Sequence, residues 1–164
     1  MKPANAMKIK DPRKMVISVV GCLLAGMIGS VFTYPQIAGW YDTLNKPFFT
    51  PPNWLFGPAW TTLYILMGIS LYVVWSKTAR PGEKDGAMQV FMVQLALNVL
   101  WSIIFFGFMS PVFAFVEILA LWASIAATMI LFRRISRKAA WLLVPYICWV
   151  TFAAALNMAV WLIN

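Results

Sequence analysis

Apolar residues fall into long blocks along this chain, separated by short polar or proline-rich breaks. A helix needs roughly 20 apolar residues to cross the hydrocarbon of a bilayer. Five blocks are long enough, at about 15–34, 53–75, 88–109, 111–132 and 139–163. They predict an all-α integral membrane protein, a bundle of five transmembrane helices in one membrane domain. The breaks carry helix signals. Thr50 is placed to cap the second helix, with Pro51 at its first position, where a missing N–H costs nothing. Ser110–Pro111 is placed the same way for the fourth, which leaves almost no loop after the third and predicts an antiparallel hairpin. "SKTARPGEKDG" and "RRISRK" are polar connectors.

Composition agrees with that division. Apolar residues make up 62% of the chain and charged residues 11%, too few charges to solvate a soluble domain of this size. The net charge of +8 lies in the flanks between apolar blocks, so it speaks for orientation in a membrane and not for nucleic acid. Lys2, Lys8, Lys10, Arg13 and Lys14 form a basic segment over residues 1–14. They share one side with Lys77, Arg80 and Lys84 and with Arg133, Arg134, Arg137 and Lys138. The other side has Lys46 alone. This bias predicts a multi-pass protein of a prokaryotic plasma membrane, N-terminus cytoplasmic and C-terminus outside. The first block has a signal-like basic lead, "KIKDPRK". Its apolar part is long and lacks a small-x-small cleavage site, so it is expected to stay as a span. With no His, and with Cys22 and Cys148 inside apolar blocks, neither a metal site nor a disulfide framework is expected, and the cysteines are expected to pack inertly.

The blocks contain few polar side chains. In the third, Gln94, Asn98, Trp101 and Phe105 follow spacings of one helix face. In the fourth, Glu117 is expected to face the bundle interior. A lone acid favours a structural hydrogen bond to a neighbouring helix over a proton or cation relay. Gly21, Ala25 and Gly29, and likewise Ala120, Ser124 and Thr128, form small-residue stripes that suit helix contacts within one chain or between two. Pro145 is expected to kink the fifth helix and Pro58 the second. Trp60 and Tyr64 follow Pro58 at helical spacing. Trp149, Phe152, Ala153 and Leu156 continue one side of the fifth. Trp75, Trp141 and Trp161 sit near span ends, as interfacial anchors do. Trp60, Trp101 and Trp149 lie deeper, where they either fill the core or line a site for a flat apolar ligand beside Asn98.

Three stretches carry a resemblance: "WYDTLNKPFFTPPNWLFGPAWTTLY", Trp40 to Tyr64; "QLALNVLWSIIFFG"; and "WLLVPYICWVTFAAALN". Together they resemble the translocator protein family, also called the tryptophan-rich sensory protein or peripheral benzodiazepine receptor family. The likeness runs from about Trp40 to Asn157 and leaves the basic N-terminal segment outside. It implies five transmembrane helices, frequent homodimers, and a pocket between the helices under the first loop. The pocket would take porphyrins of the protoporphyrin IX type or benzodiazepine-like ligands, with no cofactor required. Carried onto this sequence, the implied lining includes Trp40, Trp60, Tyr64, Asn98, Trp101, Trp149, Ala153 and Leu156. Animal members also bind cholesterol through a run "LNYYVWR". Here the run is "LNMAVWL", and the missing Tyr and Arg count against a sterol site.

The resemblance makes residues 35–52 a ligand-covering loop. Pro47, Pro51 and Pro52 restrict it, Phe48 and Phe49 are expected to fold over the bundle mouth, and Lys46 and Asp42 to orient charged groups such as propionates. A membrane receptor or sensor for porphyrins is the first functional expectation. A transporter of tetrapyrroles or other lipophilic molecules is the alternative, although the chain shows no repeat that would provide alternating halves. The remaining alternative is light-dependent porphyrin degradation, implied for Trp60 and Trp149 by bacterial relatives. Without His or an acid–base constellation, that chemistry would have to run on the porphyrin's own photochemistry.

Overall fold

The computed structural model describes residues 11–164; most of the basic N-terminal segment lies outside the described residues. Helix α1 (Pro12–Ile37) starts earlier than its apolar block because Asp11 caps it. The Asp11 carboxylate accepts from the N–H groups of Arg13 and Lys14 at 3.1 and 3.3 Å, and Pro12 takes the first position, where its missing N–H is harmless. A short helix, α2 (Trp40–Thr43), interrupts the first connection. Helix α3 (Asn53–Trp75) runs unbroken through Pro58. Helix α4 (Glu83–Ser102) begins five residues before the apolar block, with Glu83 and Asp85 in its first turn, where the helix dipole favours negative charge. Helix α5 (Pro111–Ile135) ends with Arg133 and Arg134, which suit its negative end.

The last span is two helices, α6 (Arg137–Leu142) and α7 (Val144–Ile163), parted at Leu143. Pro145 lies in the first turn of α7. It produces the expected break, since its ring excludes the carbonyl four residues back and it donates no hydrogen bond. Five helical spans of 23 to 27 residues result, so the chain is an all-α, multi-pass membrane bundle. In packing order, α1 touches α3 and α4, α4 touches α5, α5 touches α6 and α7, and α6 returns to α3.

Three local expectations are corrected. Thr50 does not cap α3; its hydroxyl donates to the Pro47 carbonyl at 2.8 Å. The helix cannot begin at Pro51, because a residue before proline is driven out of the α region and Pro52 follows. Pro52 is extended, with ψ 143°, and Asn53 is the first helical residue. Ser110 does sit before α5, with Pro111 at its first position, but its hydroxyl makes no capping bond. Cys148 is exposed and only Cys22 is buried, so the packing role holds for one cysteine.

The half of the bundle away from the first loop is solid. Met67 and Val74 of α3, Phe91 of α4, Ile125 and Phe132 of α5 and Val150 of α7 are wholly buried. The Phe91 and Phe132 rings stack at 5.6 Å. Ser70 donates to the Ala139 carbonyl at 2.8 Å and ties α3 to α6. α1 and α3 approach through glycines: a Cβ on Gly68 would lie 2.5 Å from the Val19 Cα, and one on Gly26 would lie 2.4 Å from the Tyr64 ring. The expected Gly21–Ala25–Gly29 stripe contributes only in part. A Cβ on Gly29 would lie 3.1 Å from the Ser102 hydroxyl oxygen, whereas one on Gly21 would meet nothing within 4 Å. Among the stripe on α5, Thr128 is buried and Ala120 faces outward.

Candidate functional site

The half of the bundle beside the first loop is hollow. A cavity of about 600 Å³ lies between α1, α3, α4 and α7. Trp60, Tyr64, Asn98, Trp101, Trp149, Ala153 and Leu156 all line it. Trp40, the eighth predicted residue, does not. Its ring stands edge-on to Phe105 at 5.6 Å, and its neighbour Tyr41 reaches the cavity instead. The four-residue helix α2 decides this, since successive helical side chains point in different directions. Tyr41 is buried and packs against Phe105 and Phe106 at 6.3 and 5.8 Å. That burial pushes its phenol pKa up, by desolvation of the charged form.

The aromatic walls are built in pairs. Trp60 lies tilted on Tyr64 at 5.7 Å and edge-on to Tyr146 at 6.4 Å. Trp149 meets Phe56 at 6.2 Å and Phe152 at 5.8 Å. Trp101 stacks on Phe105 at 5.0 Å. This last pair depends on a feature the apolar pattern did not predict. Residues Ile103–Gly107 form a π turn at the end of α4. One extra residue per turn shifts the register, so that adjacent Phe105 and Phe106 are both buried. Gly107 completes the turn close to Phe32, whose ring would lie 3.2 Å from a Cβ at this position.

The polar groups form two chains. Tyr64 donates its hydroxyl to Asn98 Oδ1, and Asn98 Nδ2 donates to the Tyr146 hydroxyl at 3.1 Å. Trp101 Nε1 donates to Asn157 Oδ1 at 3.2 Å, and Asn157 Nδ2 donates to the Pro111 carbonyl at 2.8 Å. These bonds join α3, α4, α5 and α7 around the cavity. Asn98 therefore spends one donor and one acceptor on protein and retains one of each. Tyr146 and Asn157 were missed from sequence, although Tyr146, Val150, Ala153 and Asn157 follow the same helical spacing that singled out the α4 face. Glu117 departs from expectation: it is buried, but neither carboxylate oxygen bonds to protein. Gln94, on the face shared with Asn98, is wholly buried and also makes no side-chain bond.

The first loop is fastened at several points. Lys46 Nζ pairs with Asp42 Oδ1 at 3.1 Å and lies over the Tyr41 ring at 5.0 Å. These two charges answer each other. Asn45 and the Asn164 side chain bond reciprocally: Asn45 N donates to Oδ1 at 2.9 Å, and Nδ2 donates to the Asn45 carbonyl at 3.0 Å. Phe49 packs edge-on to Phe152 at 6.3 Å. Phe48 does not fold over the mouth but is fully exposed. Both rings sit at the centre of a turn closed by the Thr50 N–H on the Pro47 carbonyl at 3.0 Å, and Phe48 lies edge-on to Phe49 at 5.4 Å on its solvent side.

A profile of the TspO/MBR family matches residues 18–162. The chain is 46% identical to the Tryptophan-rich protein TspO of Archaeoglobus fulgidus over 92% of its length and 97% of that protein's. It is 38% identical to the human Translocator protein, with 87% and 82% covered. Identity to the Tryptophan-rich sensory protein of Cereibacter sphaeroides is also 38%, with 76% and 77% covered.

Proposed function

The chain belongs to the TspO/MBR family, and from that premise and its cavity we propose a membrane receptor for porphyrins of the protoporphyrin IX type and similar flat apolar molecules. The observation that carries this reading is the meeting of Trp60, Trp101 and Trp149, from three helices, on one cavity of about 600 Å³. Ligand pockets commonly measure roughly 300–1,000 Å³, with apolar walls and few polar groups. Indole faces suit a flat conjugated ring. Asn98, with one donor and one acceptor left over, supplies the directional group, and its bonds to Tyr64 and Tyr146 hold it in place before a ligand arrives.

The names of the relatives, sensory protein and translocator protein, fit a sensing or transporting role in a membrane. The 12-to-1 charge bias supports a cytoplasmic N-terminus in a plasma membrane. The open space beside Gly21 is where a second copy would pack in a homodimer, and Gly21→Leu would then lower the dimer mass in detergent. Fluorescence titration tests the main reading. Protoporphyrin IX is expected to quench the tryptophans saturably at one site per chain, and cholesterol is expected not to compete. Linear, unsaturable quenching by protoporphyrin IX would overturn it. Porphyrin release from loaded vesicles that requires the protein would add transport to binding.

A further inference from the structure

The cavity's lining residues are not equally enclosed. On α4 and α7 they are buried or half-buried, including Asn98, Phe105, Leu156 and Val160. The exposed ones lie on α1 and α3, or at the start of α3. Tyr34 is 81% exposed, Trp54 72% and Met27 63%. Ser30, Gly57 and Thr61 are exposed as well.

The other seams are shut. Between α3 and α7, Phe56 meets Trp149 and Phe49 meets Phe152. Between α1 and the end of α4, Gly29 rests on Ser102 and Gly107 on Phe32. Over the mouth, Tyr41 packs on Phe105 and Phe106, and Asn164 holds Asn45. The α1–α3 seam is tight where Gly68 meets Val19 and Gly26 meets Tyr64. Beyond Tyr64, towards the loop, a Cβ on Gly57 would meet nothing within 4 Å.

We propose that this cavity opens sideways into the bilayer, through a slot between α1 and α3 rimmed by Met27, Ser30, Gly57 and Thr61, and that flat ligands dissolved in the lipid enter there. At 1.5 Å per residue, these four residues lie roughly 6–15 Å inside the ends of their helices, at hydrocarbon depth. The rim's hydroxyls are satisfied within their own helices. Ser30 donates to the Met27 carbonyl at 2.7 Å and Thr61 to the Gly57 carbonyl at 2.9 Å. Facing hydrocarbon requires this, because no water is there to take those bonds. An apolar ligand concentrates in the lipid, so a lateral slot meets it where it is abundant.

The portal rests on the reading of the cavity as a ligand site. The test uses full-length protein in phosphatidylcholine vesicles, with protoporphyrin IX dissolved in the bilayer and tryptophan quenching followed by stopped flow. Gly57→Leu/Thr61→Leu places two side chains in the slot without a clash at Gly57, and its thermal midpoint verifies folding. Association and dissociation are each expected to slow by about tenfold or more, with their ratio held, because a passage changes rates and not end states. Wild-type rates in this folded variant would overturn the portal while leaving binding intact. Slower association with unchanged dissociation would also overturn it, since the two residues would then belong to the bound site. Phe49→Ala, which loosens the loop over α7, is expected to leave both rates alone; acceleration there would move the entrance to the loop. If wild-type protein shows no saturable quenching, the ligand site and the portal fall together.

Discussion

Gly57 and Gly68 lie on one helix, α3, about three turns apart, in opposite surroundings. Gly68 is wedged against the backbone of α1, where a Cβ would stand 2.5 Å from the Val19 Cα and 3.0 Å from the Ser18 carbonyl oxygen. Gly57 borders the cavity and would meet nothing within 4 Å. The first marks the half of the bundle held together by close helix contact. The second marks the half where the same helices part. In a membrane, helices gain little by leaving lipid for one another, so close backbone approach and fitted packing hold them together. A hollow can persist at one end of such a bundle only if the other end is closed tightly.

The sharpest way to break that contrast is Gly68→Leu. Overpacking a fitted core commonly costs about 1–3 kcal/mol, and here the obstacle is backbone, which cannot rotate away. The expected outcome is loss of the folded, monodisperse species in detergent size-exclusion chromatography. A Gly68→Leu protein with the wild-type thermal midpoint would mean that the tight half is not what holds the bundle.

Asn98→Leu attacks the boundary between the halves. It leaves the Tyr64 and Tyr146 hydroxyls without their Asn98 bonds, at a cost of about 1–3 kcal/mol for each buried group left unpaired. Tyr64→Phe, which removes one hydroxyl and leaves Asn98 bonded to Tyr146, is expected to cost less. Thermal unfolding in detergent compares the two. An equal fall in midpoint would show that the Asn98–Tyr146 bond contributes nothing once the Tyr64 bond is lost.

Trp60→Ala then separates lining from filling. It removes one face of the hollow half, so protoporphyrin IX affinity is expected to fall about tenfold, about 1.4 kcal/mol, with a smaller loss of stability. Trp75→Ala is expected to leave affinity unchanged, because Trp75 lies at a span end beneath the Lys14 ammonium, 5.4 Å from its ring centroid. A folded Trp60→Ala protein with native affinity would show that the deep tryptophans only pack.

Much of the solid half was legible in the sequence, because span length depends on hydrophobicity summed over many residues and tolerates local error. The break at Pro145 was legible too, since proline acts through its own ring. The α4 face of Asn98, Trp101 and Phe105 followed from helical spacing. The π turn at Ile103–Gly107 did not, since an i→i+5 bond is chosen by the packing of Phe105 and Phe106 and leaves no mark on composition. The choice of Tyr41 over Trp40 followed from the direction of a four-residue helix, which the proline-rich loop pattern concealed. The contact glycines were half legible. A spacing of four pointed to Gly21, Ala25 and Gly29, but Gly26 and Gly68 make the closest approaches, and which face of α1 meets α3 is a tertiary fact. Glu117 and Gln94 show the same limit: burial was predictable from their place in the spans, and partners were not.

The smallest expected effect gives the cleanest comparison, because one substitution is made twice on one helix. Gly57→Ala adds a methyl group where nothing lies within 4 Å. Glycine in a helix interior is less favourable than alanine by about 0.8–1.0 kcal/mol in water-soluble hosts, so the variant should be as stable as wild type or slightly more so. Gly68→Ala makes the same gain in propensity and meets Val19 backbone at once, so it should be net destabilising. Midpoints of both variants, measured in one detergent on one day, remove the membrane-mimetic dependence that clouds absolute values. The expected order is Gly57→Ala at or above wild type, with Gly68→Ala below it. The reverse order would mean that the α1–α3 seam is open where it is drawn shut, and the slot proposed for ligand entry would have to move to the Gly68 side. A single methyl at Gly57 is also too small to block the slot, so Gly57→Ala should keep wild-type association and dissociation rates where Gly57→Leu/Thr61→Leu slows both.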